Sequence, residues 1–201
     1  MVLKEVFMKG LEEAQFDGKA LAQLMRSRRT VHSYRKAEPD RSLIERALEL
    51  ALWSPNHRST APWRFVWVGS QTREKLAHLA VELKEKEGNL SEAKKKAVYQ
   101  KILEPAALVV LGCLRDPDPL VERENYASVA CGVQNASLYL WSQGLGTKWG
   151  TGALTRHPQV YKWMNLDPQK VEMVGFFWIG PFDSSPKPPP RPPLSQLLSE
   201  V

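Results

Sequence analysis

The chain has 201 residues, 43% of them hydrophobic and 25% charged, which is enough for one domain with a sizeable core. No apolar run approaches the roughly 20 residues needed to cross a bilayer, and the first residues, with Lys4, Glu5, Lys9, Glu12 and Glu13, lack a signal peptide's apolar stretch, so a cytoplasmic protein with no membrane partner is expected. The net charge of +6 favours anionic partners, nucleotides and nucleic acids alike, and two cysteines without metal or redox spacing predict buried, reduced thiols.

In chain order, the first feature is Arg26-Ser27-Arg28-Arg29-Thr30. Guanidinium forks and a hydroxyl suit a phosphate through charge-assisted hydrogen bonds, and the same residues equally suit a basic helix end that meets the helix dipole. Asp40, after Pro39, predicts the N-cap of a helix with an apolar face of Leu43, Ile44, Ala47, Leu48, Ala51 and Leu52. That helix delivers a loop over 54–65, Ser-Pro-Asn-His-Arg-Ser-Thr-Ala-Pro-Trp-Arg-Phe, whose polar side chains are presented on a backbone fixed by Pro55 and Pro62. It has the composition of a binding loop.

Residues 64–69 predict a strand, followed by charged helices over 72–87 and 91–103 with solvated polar faces. The continuous apolar run 107–114 predicts a central strand covered on both faces. Residues 122–143 predict a long helix with small and apolar residues on most sides, suited to the core and to a subunit contact. Gly144-Leu145-Gly146-Thr147-Lys148-Trp149-Gly150-Thr151-Gly152 then reads as a helix C-cap and turn; Trp149 stands where a dinucleotide fingerprint needs its final glycine. A last strand over 171–180 precedes a proline-rich extended arm, 184–201, that ends in Leu194, Leu197 and Leu198 and needs a surface to cover. Helices and strands intermix, giving an α+β or α/β sandwich.

Three of these blocks together resemble the FMN-dependent nitroreductase family: Arg28-Arg29-Thr30, the stretch from Ala51 to Phe65, and the glycine-rich block from Gln143 to Gly152. The resemblance runs from about Leu21 to the C-terminus. It implies a central, mostly antiparallel sheet flanked by helices, one domain over 1–201, and an intertwined homodimer in which the 184–201 arm packs on the partner. It further implies that Arg28, Arg29 and Thr30 hold the FMN phosphate and ribityl chain, with Arg191 in the arm either joining them or remaining solvated. His32 stands where the family's motif usually has another arginine. Trp149, Gly150 and Thr151 would meet the flavin ring, since a glycine lets the main chain approach a flat ring closely. Trp53, Asn56 and His57 would reach the flavin of the other subunit, whereas Trp63 is expected in the core.

The implied activity is a two-electron oxidoreductase: NADH or NADPH gives a hydride to FMN and leaves, and a nitroaromatic, quinone or similar electron-poor acceptor takes its place. FMN carries that chemistry, so no acid or base catalyst is assigned. The dispersed histidines 32, 57, 78 and 157 assign no metal ligand. Residues 83–101 are expected to influence the choice of acceptor, as a lid. Two alternatives remain. One is a nucleic-acid-binding module, motivated by the charge and by Trp63-Arg64-Phe65-Val66-Trp67, whose aromatics are expected to alternate between faces; the other is a same-fold flavoenzyme that dehalogenates, dehydrogenates or fragments flavin.

Overall fold

The computed structural model describes residues 17–38 and 40–201, so the expectations resting on the first residues and on Pro39 lie outside the described residues. In chain order the elements are α1 (Gly18–Ser27), α2 (Arg41–Ala51), β1 (Trp63–Trp67), α3 (Ser70–Glu87), α4 (Glu92–Leu103), β2 (Ala107–Leu114), α5 (Pro119–Ser142), β3 (Leu145–Gly150), α6 (Ala153–Arg156), α7 (Pro158–Trp163) and β4 (Val171–Pro181). Single 3-10 turns occur at His57–Ser59 and Leu194–Gln196.

The four strands form one antiparallel sheet in the order β1-β2-β4-β3. β2 is apolar throughout because both its faces are covered. Ala107, Val109, Leu111 and Cys113 join a core with Ile44, Ala47 and Ala51 of α2 and Val129, Val133, Ala136 and Leu140 of α5. Leu108 and Val110 join a second core with Leu76, Ala77 and Ala80 of α3, Ile102 of α4 and Val160 of α7. The result is an α/β/α sandwich, as expected. Burying each large side chain in these layers contributes about 1.5–3 kcal/mol.

Local chemistry sets the helix ends. Asp40 accepts from Leu43 N at 3.0 Å and caps α2, and Ser91 caps α4. α5 starts earlier than the apolar pattern indicates, because Asp118 caps it, accepting from Leu120 N at 2.9 Å, and Pro119 fits a first helical turn that needs no N–H partner. At its other end Gly144, with φ of +77°, allows the sharp exit.

Three expectations are corrected. The glycine-rich block is not a turn throughout: 145–150 is an edge strand, held by six-residue pairing with β4, and α6 and α7 follow it. Gly146 and Gly150 obscure an alternation that β4 nevertheless enforces. Trp63, Phe65 and Trp67 share one face, since a strand repeats every two residues, and they pack on the first core. That leaves no aromatic platform for nucleic acid on β1. Finally, Cys113 is buried and its thiol is pushed up to about 12 by desolvation, but Cys131 is exposed on the uncovered side of α5.

Candidate functional site at the edge of β3

β3 is an edge strand, and the segment after α1 runs along its free side. Thr30 makes a parallel bridge to Thr147, and Val31 N donates to Thr147 O at 3.0 Å. Close approach is possible because residue 146 is glycine: a Cβ there would lie 2.8 Å from Val31 Cβ and 2.9 Å from Phe182 Cδ1. The end of α1 is tied down separately, by the Trp141 indole donating to Ser27 Oγ at 3.0 Å while its ring stacks on Phe182. Sequence order thereby becomes geometry. Arg28, Thr30, Thr147 and Trp149 line one cavity of about 210 Å³, closed on the far side by Val133, Gln134 and Ser137 of α5.

Trp149 is held in that wall by a second glycine. β4 carries a bulge opposite Leu111/Gly112, and a Cβ on Gly175 would overlap the Trp149 indole. The indole N–H instead donates to Val174 O at 3.0 Å. Alternation along β3 then sends Lys148 and Gly150 to the other face, where a cavity of about 310 Å³ opens between β3 and the α3–α4 hairpin. Thr151 and Gly152 line it as well.

The electrostatics of the first cavity are one-sided. Arg28 is half-buried; desolvation, then the neighbouring charges of Arg29 and Arg191, weaken its hold on its proton, though a guanidinium remains charged. Arg28 therefore feels the charge of both other arginines, while Arg191 itself is exposed in the arm. Among the described residues the Arg28 guanidinium has no carboxylate partner and no hydrogen bond, so the cluster is short of an anion. Arg29 Nη1 donates to Arg26 O at 2.6 Å and to Arg28 O at 2.8 Å, while its Nε is buried without a partner among the described residues. Phosphate oxygens, gripped by Arg28 and Arg191 and flanked by the Thr30 and Thr147 hydroxyls, fit this donor set. At Gly150 the missing side chain makes room for the Trp178 indole, whose Nε1 would lie 3.0 Å from a Cβ there.

Two lysines, Lys148 inside the glycine-rich block and Lys101 at the end of the 83–101 segment, extend the positive field. Burial, then Lys101, lowers the Lys148 ammonium's proton affinity, and the exposed His32 is pulled below its usual range by desolvation and by both lysines. His32 thus feels the field of Lys148 and Lys101, which favours its neutral form. Nothing in the sequence pairs the lysine of the strand with that of the charged helix; only the fold brings them together. Among the described residues no group of three or more His, Cys, Asp or Glu is placed to hold a metal.

Trp53, Asn56 and His57 line neither cavity. Asn56 holds the loop: its Nδ2 donates to Thr60 Oγ1 and Ser128 Oγ, and its Oδ1 accepts from Ala61 N. His57 Nδ1 lies 2.9 Å from Glu124 Oε2. Arg58, Ser59 and Ala61 all adopt positive φ, a conformation that side chains disfavour and that this network maintains. Trp53, at the end of α2, is 76% exposed. Trp63 instead donates its indole N–H to Ser128 O and belongs to the core.

Comparisons agree with this geometry. A family model described as Nitroreductase family matches residues 25–180. The chain is 24% identical over 183 residues to YfhC of Bacillus subtilis, provisionally named an NAD(P)H nitroreductase, covering 90% of this chain and 94% of that one. The crystal structure of a nitroreductase-like family protein from Bacillus cereus superposes with a TM-score of 0.79 at 25% identity, over 94% of this chain and 99% of the other. A protein from Desulfovibrio desulfuricans, provisionally named a nitroreductase and solved in complex with FMN, shares the fold at 16% identity with a TM-score of 0.71, over 93% and 98% of the two chains. The family match spans most of the chain, both cavities and the edge strand between them, and the protein therefore belongs to the nitroreductase family.

Proposed function

We propose that the protein is an FMN-dependent NAD(P)H oxidoreductase that reduces nitroaromatic, quinone or similar electron-poor acceptors in two half-reactions at one opening. The observation that carries this reading is the half-buried Arg28, which has no anion among the described residues, in a cavity shared with Thr30, Thr147 and Trp149 at the edge of β3. Bound FMN supplies a two-electron carrier between NAD(P)H and acceptor. Arg28 and Arg191 hold its phosphate, Arg29 stiffens the turn that presents Arg28, and Thr30 and Thr147 offer hydroxyls to the ribityl chain. Trp149, braced on Val174, fixes the strand so that the backbone of Gly150 and Thr151 meets the ring. No side chain is required to attack or to abstract a proton.

The same reading makes the protein a homodimer with a site at each end of the interface. Leu21 and Met25 of α1, Leu52 and Trp53 after α2, and Leu120 and Tyr126 of α5 are exposed apolar residues that a second copy would cover. Leu194, Leu197 and Leu198, each about 70% exposed, give the 184–201 arm an apolar end to lay on that partner. Trp53, Asn56 and His57 then complete the partner's site. Among the described residues no helix is long and apolar enough to cross a membrane, and the use of NAD(P)H supports a cytoplasmic setting.

The test is an absorption spectrum of the purified protein with cofactor counted per chain. The expected result is one FMN per chain in a dimer, bleached by NAD(P)H without air. A colourless protein that ignores added FMN would overturn the reading.

A further inference from the structure

The 310 Å³ cavity under the α3–α4 hairpin contains a buried donor with nothing to donate to. Trp178 is 6% exposed, and its Nε1 is buried without a hydrogen-bond partner. An indole N–H can only donate, and leaving one unmet in a core is destabilising. Lys148 stands over the same ring with Nζ 4.7 Å from its centroid, and Lys101 lines the same cavity. Among the described residues neither lysine has a carboxylate within ion-pair distance. Among the described residues the only carboxylate lining the cavity, Glu87, is taken by Lys84 at 2.7 Å. The remaining walls are largely apolar, with Phe176 and Ile102 among them, and Thr151 and Thr155 add two hydroxyls.

This is a slot with flat apolar sides and an excess of hydrogen-bond donors and positive charge. It lies across β3 from the arginine and hydroxyl groups suited to the cofactor's phosphate and ribityl chain, and it backs onto Gly150 and Thr151.

We propose that this cavity binds the electron acceptor and selects flat aromatic acceptors bearing a carboxylate, with the Trp178 indole N–H and the Lys148 ammonium engaging the carboxylate oxygens. The oxidoreductase part rests on the function proposed above; the binding part does not. For a nitro acceptor the balance is one nitroarene, one NAD(P)H and one proton giving one nitrosoarene, one NAD(P)+ and one water. Two electrons leave the nicotinamide, and one N–O bond of the nitro group breaks. The carboxylate stays intact as an anchor.

The test follows the indole N–H signals of 15N-labelled, FMN-loaded protein during titration with 4-nitrobenzoate or with its neutral counterpart 4-nitrobenzamide. Trp178→Phe identifies the signal. If that variant does not fold, Lys148→Met identifies it by moving the one indole whose ring loses its cation. The expected result is a downfield shift of the Trp178 signal with 4-nitrobenzoate, binding about tenfold tighter than the amide, and loss of that preference in Lys148→Met. Equal affinities, or a Trp178 signal that responds to FMN loading and not to 4-nitrobenzoate, would overturn the proposal; the latter assigns the cavity to the cofactor. The titration also runs on flavin-free protein. A Trp178 response in a protein that takes up no FMN would keep the anion slot and remove the flavin reading.

Discussion

Arg28 and Arg73 are both desolvated enough to lose proton affinity, yet their surroundings are opposite. Arg73, on α3, donates from Nη1 and Nη2 to the carbonyls of Ile102, Leu103, Pro105 and Ala106, and only its Nε is buried without a partner among the described residues. Those are the free carbonyls at the end of α4, where a cation also meets the negative end of the helix dipole. Arg28, beside β3, meets other arginines. A buried charge that the protein satisfies itself is architecture; one it leaves without an anion marks a place for something else.

Arg73→Ala breaks the satisfied side of this contrast most severely. It strands the carbonyls at the α4–β2 junction, and a loss of about 3 kcal/mol in unfolding free energy is expected from denaturant titration, with FMN affinity of the folded fraction unchanged. Gly146→Ala attacks the other side through packing. Its Cβ would push Val31 and the Arg28–Thr30 segment off β3, costing about 2 kcal/mol of stability and lowering FMN affinity together. Arg28→Ala separates the two effects. FMN affinity should fall by about 2 kcal/mol, roughly thirtyfold, while Tm stays level or rises because like charges are relieved.

The smallest effect concerns a buried group that needs no ligand at all. The Cys113 thiol is raised in the folded state, to about 12, so its stabilisation is complete below the unfolded thiol's range and is lost as pH rises toward the folded value. Unfolding free energy should drop by about 1 kcal/mol between pH 8 and 10, and Cys113→Ala should remove that part of the slope. An unchanged slope in the variant would show that another group sets the alkaline limit.

The arginine side of the comparison was legible in the sequence because charge and hydroxyl sat together in Arg28-Arg29-Thr30. Period and caps likewise marked α2, β2 and β4. β3 was not legible, since Gly146 and Gly150 leave a strand with few side chains to read, and its pairing is decided by β4 more than one turn of chain away. The pairing of Lys101 with Lys148 was invisible for a different reason: they lie far apart in sequence, and nothing in the glycine-rich block marks Lys148 as a partner of Lys101. The unmet indole of Trp178 looked like one more aromatic in an apolar strand. Exposure on a helix that is apolar on most sides, as at Cys131, likewise depends on which neighbours arrive.

The most direct test of the central claim compares equilibrium binding of FMN and riboflavin, which differ only in the phosphate, to cofactor-free protein. The account predicts FMN tighter by about a hundredfold and a gap that closes in Arg28→Ala. Equal affinity for the two, or a gap untouched by Arg28→Ala, would contradict it.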